Sequence, residues 1–317
     1  MSTDHSSPKC SLEGLTILER GWLSSNNVLI HGRGEGATLV DTSHCLHAEQ
    51  TVALVRHTLA QQTLQERLVR VLNTHLHSDH CGGNAALQHA LGPELLIPPG
   101  LWDAVRRWDV DALSYGPTGQ DCERFRPDGT IQAGQSLQLG AQRWEVLAAP
   151  GHDPHSVIFF DAMNGVLISA DALWQNGYGI VFPELEGEPG FDDVQRVLDL
   201  IESLPVQWVI PGHGAPFTDC AGALQRARSL LRKQRTDPRQ HARHATKVLI
   251  KYHLMEVRRM PRTALTDWAC ARPFFVRAYQ AQPALAGASM TAWCETLVHE
   301  LVKRGALAVH DGVVHDA

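Results

Sequence analysis

The hydrophobic pattern divides the chain into two unlike parts. Through the first two-thirds, short apolar or β-branched runs stop at Gly, Pro, Asp or His: NNVLIHG, GATLVDT, LVRVLNTH, ELLIPP, RWEVLAAPGH, SVIFFDA, GVLISADA and QWVIPGH. Runs of this length and residue type, ended by turn residues, predict strands. Between them, CLHAEQTVALVRHTLAQQ and FDDVQRVLDLIESL repeat their apolar positions at helical spacing. Strands alternating with helices imply a layered α/β arrangement. The stretch from Trp102 to Gly140 is rich in Gly and Asp and predicts no ordered series of elements.

From about Gly222 the pattern turns helical, in ALQRARSLLRKQ, HARHATKVLIKYHLMEVRRM, a short TALTDWACA and MTAWCETLVHELVKRGAL. The chain closes on ALAVHDGVVHDA, where Asp311-Gly312 is a hairpin signal. Helices followed by a terminal hairpin have the order of a winged helix-turn-helix. The expected division is therefore 1–222 for the α/β part and 223–317 for a helical, winged-helix-like part. No internal repeat or low-complexity tract interrupts either.

Polar residues stand where the predicted strands stop. Asp41 follows TLV, His75 follows VLNT, His152 follows LAAPG, Asp171 follows LISA and His213 follows WVIPG. In open α/β sheets, ligands bind beyond the carboxyl ends of the strands, so these residues are expected along one edge. The densest group is THLHSDHCGGN, Thr74 to Asn84. In an extended segment His75, His77 and Asp79 point one way and His80 another. Such an array could serve two adjacent metal ions, His75 and His77 on one, Asp79 and His80 on the other. Imidazole and carboxylate suit Zn, Fe or Mn, and the lack of nearby paired cysteines argues for a catalytic rather than a closed structural site. Gly82 and Gly83 are expected to let the backbone turn tightly after His80.

The run resembles the HxHxDH signature of the metallo-β-lactamase fold hydrolases. The other elements of that family follow in order: the Asp41 strand end before it, then PGHDPHS with His152, SADALW with Asp171 and VIPGHG with His213. The resemblance covers roughly residues 14–220 and implies an αββα sandwich with a dinuclear site. His75, His77 and His152 would hold the first metal; Asp79, His80 and His213 would hold the second; Asp171 would bridge them. The implied cofactors are two divalent cations, with Zn as the first choice and Fe or Mn as alternatives. The implied chemistry is attack by a metal-bridging hydroxide on a carbonyl or phosphorus, with Asp79 and Asp171 as the catalytic carboxylates. Asp41 would accept a hydrogen bond from a ligand histidine or a neighbouring loop. His155, Trp174 and Tyr178 are candidate pocket residues, with plain loop or core packing as the alternative. Cys81 reads as a small buried residue beside the site, and histidines 5, 31, 44, 47, 57 and 89 and those of the C-terminal part read as solvated or helix-surface residues.

Composition narrows the function further. At 317 residues the chain can bury a sizeable core, and no apolar run is long enough to span a bilayer. The opening MSTDHSSPKC lacks a signal-peptide pattern, and seven scattered cysteines form no CxxC pair, so a cytoplasmic location is expected. Net charge is −6, but residues 224–262 carry twelve Lys/Arg against Asp237 and Glu256, or +10, leaving −16 elsewhere. That basic stretch reads either as a solvated helical face or as a phosphate-tracking surface. Tyr252 is the one aromatic residue in it, which gives little support to base stacking.

The leading expectation is a hydrolase of a small thioester, ester or lactone, similar to the glyoxalase-II-like branch, although no glutathione-binding pattern is recognisable. The alternative is a metal-dependent endoribonuclease or phosphodiesterase, since the tail resembles that of the β-lactamase-like protein 2 group. A metal-binding regulatory protein with little turnover is the third. A small-molecule substrate is the expected partner, RNA the alternative, and no membrane is expected. The tail is expected to wall the pocket or to form a homodimer contact.

Overall fold

Two sheets pack face to face, each contributing alternate residues of its strands to the layer between them. The computed structural model describes residues 12–62, 66–282 and 288–317; His5 and Cys10 lie outside them. The first sheet runs β1 (Leu15–Leu18), β2 (Asn27–Ile30), β3 (Ala37–Val40), β4 (Leu68–Leu72), β5 (Glu94–Ile97), β6 (Gly129–Thr130) in spatial order. Its pairings are antiparallel up to β3 and parallel beyond. The second sheet comprises β7 (Ser136–Leu139), β8 (Gln142–Ala148), β9 (Val157–Asp161), β10 (Val166–Ala170) and β11 (Trp208–Pro211), in order 11-10-9-8-7. Only its β10–β11 pair is parallel.

Val28, Ile30, Val40 and Leu72 from the first sheet meet Trp144, Val146, Phe159 and Ile168 from the second in one buried cluster. The alternate residues Leu29, Leu39 and Val71 face outward onto Val52, Val55 and Leu59 of α1 (Ala48–Ala60). On the other outer face, Ile158, Phe160, Leu167 and Val209 pack with residues of two later helices. Burial on both faces explains why these strands read as continuous apolar runs. The layers are αββα, as the resemblance implied. Short helices connect the strands: α2 (Ser78–Cys81), α3 (Asn84–Leu91), α4 (Trp102–Arg107), α5 (Tyr115–Thr118) and α6 (Phe182–Leu185). Two of these, with β6 and β7, occupy the stretch that predicted nothing; they are too short to show a period.

The outer helices of the second sheet are α7 (Gly190–Ser203) and α8 (Cys220–Thr236), the latter burying Ala223, Leu224, Ala227 and Leu231. Then come α9 (Pro238–Val257), β12 (Arg259–Pro261), α10 (Arg262–Cys270), α11 (Pro273–Gln280), α12 (Met290–Lys303), β13 (Leu307–His310) and β14 (Val313–Asp316). The three strands pair antiparallel in order 12-14-13. Asp311 (φ +49°) and Gly312 (φ +75°) make the anticipated two-residue turn, both left-handed as a type I′ hairpin demands. The helix expected through Met260 stops at Arg258, whose φ is +66°, and the next residues become β12. The extra helix α11 went unpredicted. Leu249, Ile250, Leu265, Phe275, Trp293 and Val314 form this part's core, against which Ile180 and Phe182 of the α/β part also pack.

Three histidines expected on the surface are buried: His241 meets the Val181 carbonyl at 3.1 Å, and the other two each meet a carboxylate. His31 Nδ1 lies 2.8 Å from Glu66 Oε2, and His44 Nε2 lies 3.1 Å from Glu256 Oε1. The second pair ties the segment after β3 to the end of α9. Burial opposes the charged form of His44, but the Cys45 and Glu256 side chains outweigh it and raise its pKa from 6.5 to about 10. A raised folded-state pKa contributes stability in full below pH 6.5, lost as pH climbs toward 10. Glu256→Ala should therefore cost about 3 kcal/mol at pH 7, by stranding a buried cation. Thermal unfolding at pH 7 and pH 10 checks this: the gap from wild type should narrow at the higher pH, and a constant gap would refute the pairing.

Candidate metal centre

Five chain segments converge on one edge of the sandwich. Asp41 follows β3 with φ +57°, a left-handed conformation that Asp tolerates better than most residues. The segment after β4 carries Thr74 to His77, and α2 carries Asp79 and His80. His152 follows β8 and His213 follows β11. A register shift between Ile168 and Ala170, with φ +45° at Ala170, ends β10 and aims Asp171.

The extended segment expected through Asp79 reaches only His77. β4 stops at Leu72, and Ser78–Cys81 coil into one helical turn with His77 as its N-cap. Asp79 and His80 thus come from a helical turn, not from strand alternation. Gly82 and Gly83 also act differently from expectation, since their φ angles are ordinary, −62° and −85°. Their role is close approach: a Cβ on Gly82 would lie 2.4 Å from the Cys45 nitrogen, and one on Gly83 2.2 Å from the Thr42 oxygen. Both glycines seat α2 against the segment after β3.

Three groups of ligand-type side chains have their donor atoms within 4.8 Å of one another: His75, His77 and His152; His75, His80 and Asp171; Asp79, His80 and His213. His77 Nδ1 is 2.7 Å from His152 Nε2, and His213 Nε2 is 3.1 Å from Asp79 Oδ2. Asp171 lies between the sets. Its Oδ2 is 3.3 Å from His152 Nε2, while its Oδ1 is 3.3 Å from His80 Nε2 and 3.8 Å from His213 Nε2. All seven side chains are buried.

Bonds from behind fix the orientation of the ring nitrogens. His80 Nδ1 donates to Asp41 Oδ2 at 2.7 Å, and His152 Nδ1 donates to the Ile180 carbonyl at 2.6 Å. Thr74 holds Asp41 in turn, its backbone N–H and its hydroxyl donating to the two carboxylate oxygens at 2.8 Å. The atoms left facing inward include His75 Nε2 and His80 Nε2, both buried with no hydrogen-bond partner. Orphaned buried nitrogens are costly unless something binds them, and a divalent cation fits this donor set. Burial, then the neighbouring imidazoles, lower the pKa of His75 well below its usual value, and burial with His152 lowers that of His77 to about 4. Burial opposes ionisation of Asp79, yet His80 and His213 bring its pKa down to about 2. Neutral imidazoles and ionised carboxylates are the forms that bind metal. Asp41→Ala should weaken metal binding about 10- to 100-fold by freeing the His80 ring. Chelator-competition titration measures this, and unchanged affinity would count against the role.

The centre opens into a cavity of about 740 Å³ lined by His77, Asp79, His152, Asp171 and His213. Of the candidate pocket residues, Trp174 and Tyr178 line it. Trp174 Nε1 donates to Asp171 Oδ1 at 3.2 Å, and the Tyr178 hydroxyl donates to Gln234 of α8 at 2.6 Å. His155 lies elsewhere: its ring packs on Gly100, and its backbone N–H donates to Asp153. Cys81 is buried with its Sγ 3.2 Å from the Tyr115 hydroxyl and 3.8 Å from Cys122 Sγ, a neighbour that the sequence did not point to.

Sequence reasoning missed several wall residues. Trp22, 62% exposed, stacks on His213 at 5.4 Å and 8°. Tyr252 of α9 bonds Ser78 Oγ at 2.9 Å, and Phe182 lies edge-on to His77 at 5.1 Å. Val248, Lys251 and Met255 of α9 also face the cavity. Their spacing of three to four residues was the available signal for the helix face.

Comparisons with known proteins agree with this geometry. A family model described as the metallo-beta-lactamase superfamily matches residues 20–213. A hydroxyacylglutathione hydrolase of Anaeromyxobacter dehalogenans is 33% identical over 109 residues, 34% of this chain and 34% of that protein. The acyl-coenzyme A thioesterase MBLAC2 of Homo sapiens is 24% identical over 217 residues, 63% of this chain and 78% of the relative. Thus the match spans only about a third of the first relative's length. Among solved structures, a metallo-beta-lactamase family protein from Thermus thermophilus has a TM-score of 0.56 at 21% identity, covering 96% of this chain and 99% of that one. At that identity the likeness concerns the fold alone.

Proposed function

The chain belongs to the metallo-beta-lactamase superfamily, and from that premise we propose that it is a metal-dependent hydrolase cleaving an acyl thioester with water at a pair of divalent cations. The observation that carries the proposal is Asp171, whose two carboxylate oxygens face different sets of buried histidines, each at 3.3 Å. His75, His77 and His152 would hold the first cation and Asp79, His80 and His213 the second, with Asp171 placed to serve both. Zinc is the first choice because imidazole predominates, with Fe or Mn as alternatives. Two cations held there would supply hydroxide at neutral pH and polarise the acyl carbonyl.

The protein's own residues prepare that chemistry. Asp41 and the Ile180 carbonyl lock the His80 and His152 rings, and Trp174 steadies Asp171 on the cavity side. Trp22, Phe182 and Tyr252 line the cavity beside the ligand-type side chains. Burial raises the Tyr252 pKa well above its usual value, so its hydroxyl keeps the proton it can donate. The C-terminal part, which we read as winged-helix-like, supplies α9 as one wall of the pocket.

The thioester is favoured over other electrophiles because the relatives' names concern acyl groups on glutathione and on coenzyme A. The cavity beside the centre also has apolar walls suited to an acyl chain, in Ile180, Phe182, Val248 and Met255. The test is turnover by metal-replete protein, with Asp171→Ala as the blank. One arm offers acyl thioesters, esters and lactones; the other offers single-stranded RNA and a chromogenic phosphodiester. Blank-corrected thioester hydrolysis is expected. RNA cleavage without acyl hydrolysis would replace this function with a nuclease.

A further inference from the structure

A second cavity, of about 360 Å³, adjoins the metal-centre cavity and shares His244, Lys247 and Arg304 with it. It is formed by α8, α9 and the end of α12, and its charged lining is Lys233, Arg243, Lys247 and Arg304 with a single acid, Glu300. That acid is already engaged, bonding Arg243 through one oxygen and Lys247 through the other. Lys233 and Arg304 have no ion pair or side-chain hydrogen bond among the described residues, although they line the same concavity. Four cations against one carboxylate leave the pocket at +3. Burial and then the charges of Lys247, Arg304 and Lys233 lower the pKa of His244, so its imidazole adds a neutral donor. Uncompensated cations gathered in a concavity, in a chain whose net charge is −6, make a local attraction for anions.

The position of this pocket says what kind of anion. Helix α9 runs from it to the metal centre, where Tyr252 bonds Ser78 beside Asp79. Tyr252 is eight residues beyond His244, about 12 Å at the helical rise. Between them the α9 wall offers Val248 and Leu249, with Met255 just past Tyr252. Lys251 is committed to Asp316 and two backbone carbonyls. Net positive charge is therefore concentrated at the far end, while the middle carries apolar side chains and the closed Lys251–Asp316 pair. A nucleic-acid strand would want cations repeated at each phosphate along the track. A small molecule with a reacting acyl group, an uncharged spacer and a terminal phosphate fits the layout better. We propose that Lys233, Arg243, Lys247 and Arg304 bind a phosphate group at the end of the thiol carrier of the substrate. The thioester at the reacting end rests on the function proposed above; the phosphate at the far end rests on this pocket.

The experiment compares two thioethers that cannot be hydrolysed, S-octyl-pantetheine and S-octyl-4′-phosphopantetheine, which differ by one phosphate. Binding to metal-loaded protein is measured by calorimetry, for wild type and for the Lys233→Ala/Arg304→Ala double variant. Both substituted residues are exposed and make no side-chain bond among the described residues, so folding should survive. In wild type the phosphate should tighten binding at least about tenfold, through charge-assisted hydrogen bonds, and the advantage should shrink as salt rises. The double variant should lose that preference while binding the unphosphorylated compound as wild type does. Equal affinity for the two compounds in wild type, or an undiminished preference in the variant, would overturn the assignment. Hydrolysis of the two matching thioesters, read separately, reports on the acyl-transfer reading alone.

Discussion

Asp171→Ala is expected to lower thioester turnover by at least about a thousandfold, equivalent to about 4 kcal/mol of transition-state stabilisation, and to reduce the metal bound per chain. The carboxylate is buried, and it is the group within 3.3 Å of both His152 and His80. Without it two cations held side by side would lose the negative charge between them, and the His80 and His152 rings would lose their shared partner. Asp171→Asn separates the two consequences. It preserves volume and the Trp174 contact on Oδ1, but removes the charge, so it should also be severely impaired. Element-specific mass spectrometry and kcat on the same preparations give the answer. Wild-type turnover in either variant would refute the bridging assignment.

Truncation before Leu224 is expected to abolish soluble, cooperatively folded protein. Leu224, Ala227 and Leu231 of α8 belong to the core beneath the second sheet. A buried leucine contributes about 1.5–3 kcal/mol, so two of them, with the newly exposed faces of Ile180 and Phe182, amount to a large part of the roughly 5–15 kcal/mol typical of a domain. The loss also removes Gln234, which accepts the Tyr178 hydroxyl bond, and the α9 wall of the cavity. Soluble yield and thermal unfolding of the truncated chain measure this. A soluble product with a native-like transition would show that α8 is dispensable to the α/β part.

Much of the candidate site was legible because five of its side chains come soon after an apolar run that had to become a buried strand. Asp41, His75, His152, Asp171 and His213 lie just beyond or close after strand ends, where the buried run stops and the chain turns. The local conformation of Ser78–Cys81 was not legible, since four residues cannot show a period and the helical turn depends on contacts of Gly82 and Gly83 with distant backbone. Trp22 and Tyr252 were hidden for a related reason. Tyr252 lies 174 residues along the chain from Ser78, and Trp22 is similarly remote in sequence from His213. The basic stretch that includes α9 allowed two readings, a solvated face or a phosphate-tracking surface, because helical spacing alone cannot tell solvent from a cavity. His31 and His44 were misjudged because their partners, Glu66 and Glu256, lie 35 and 212 residues away.

The most direct measurement titrates metal-stripped protein with Zn²⁺ while following hydrolysis of an acyl thioester. Activity should be absent without metal and should rise to a plateau at two equivalents per chain, with Asp171→Ala flat throughout. Hydrolysis by the stripped protein, or a plateau reached at one equivalent, would contradict a reaction that depends on two cations held on either side of Asp171.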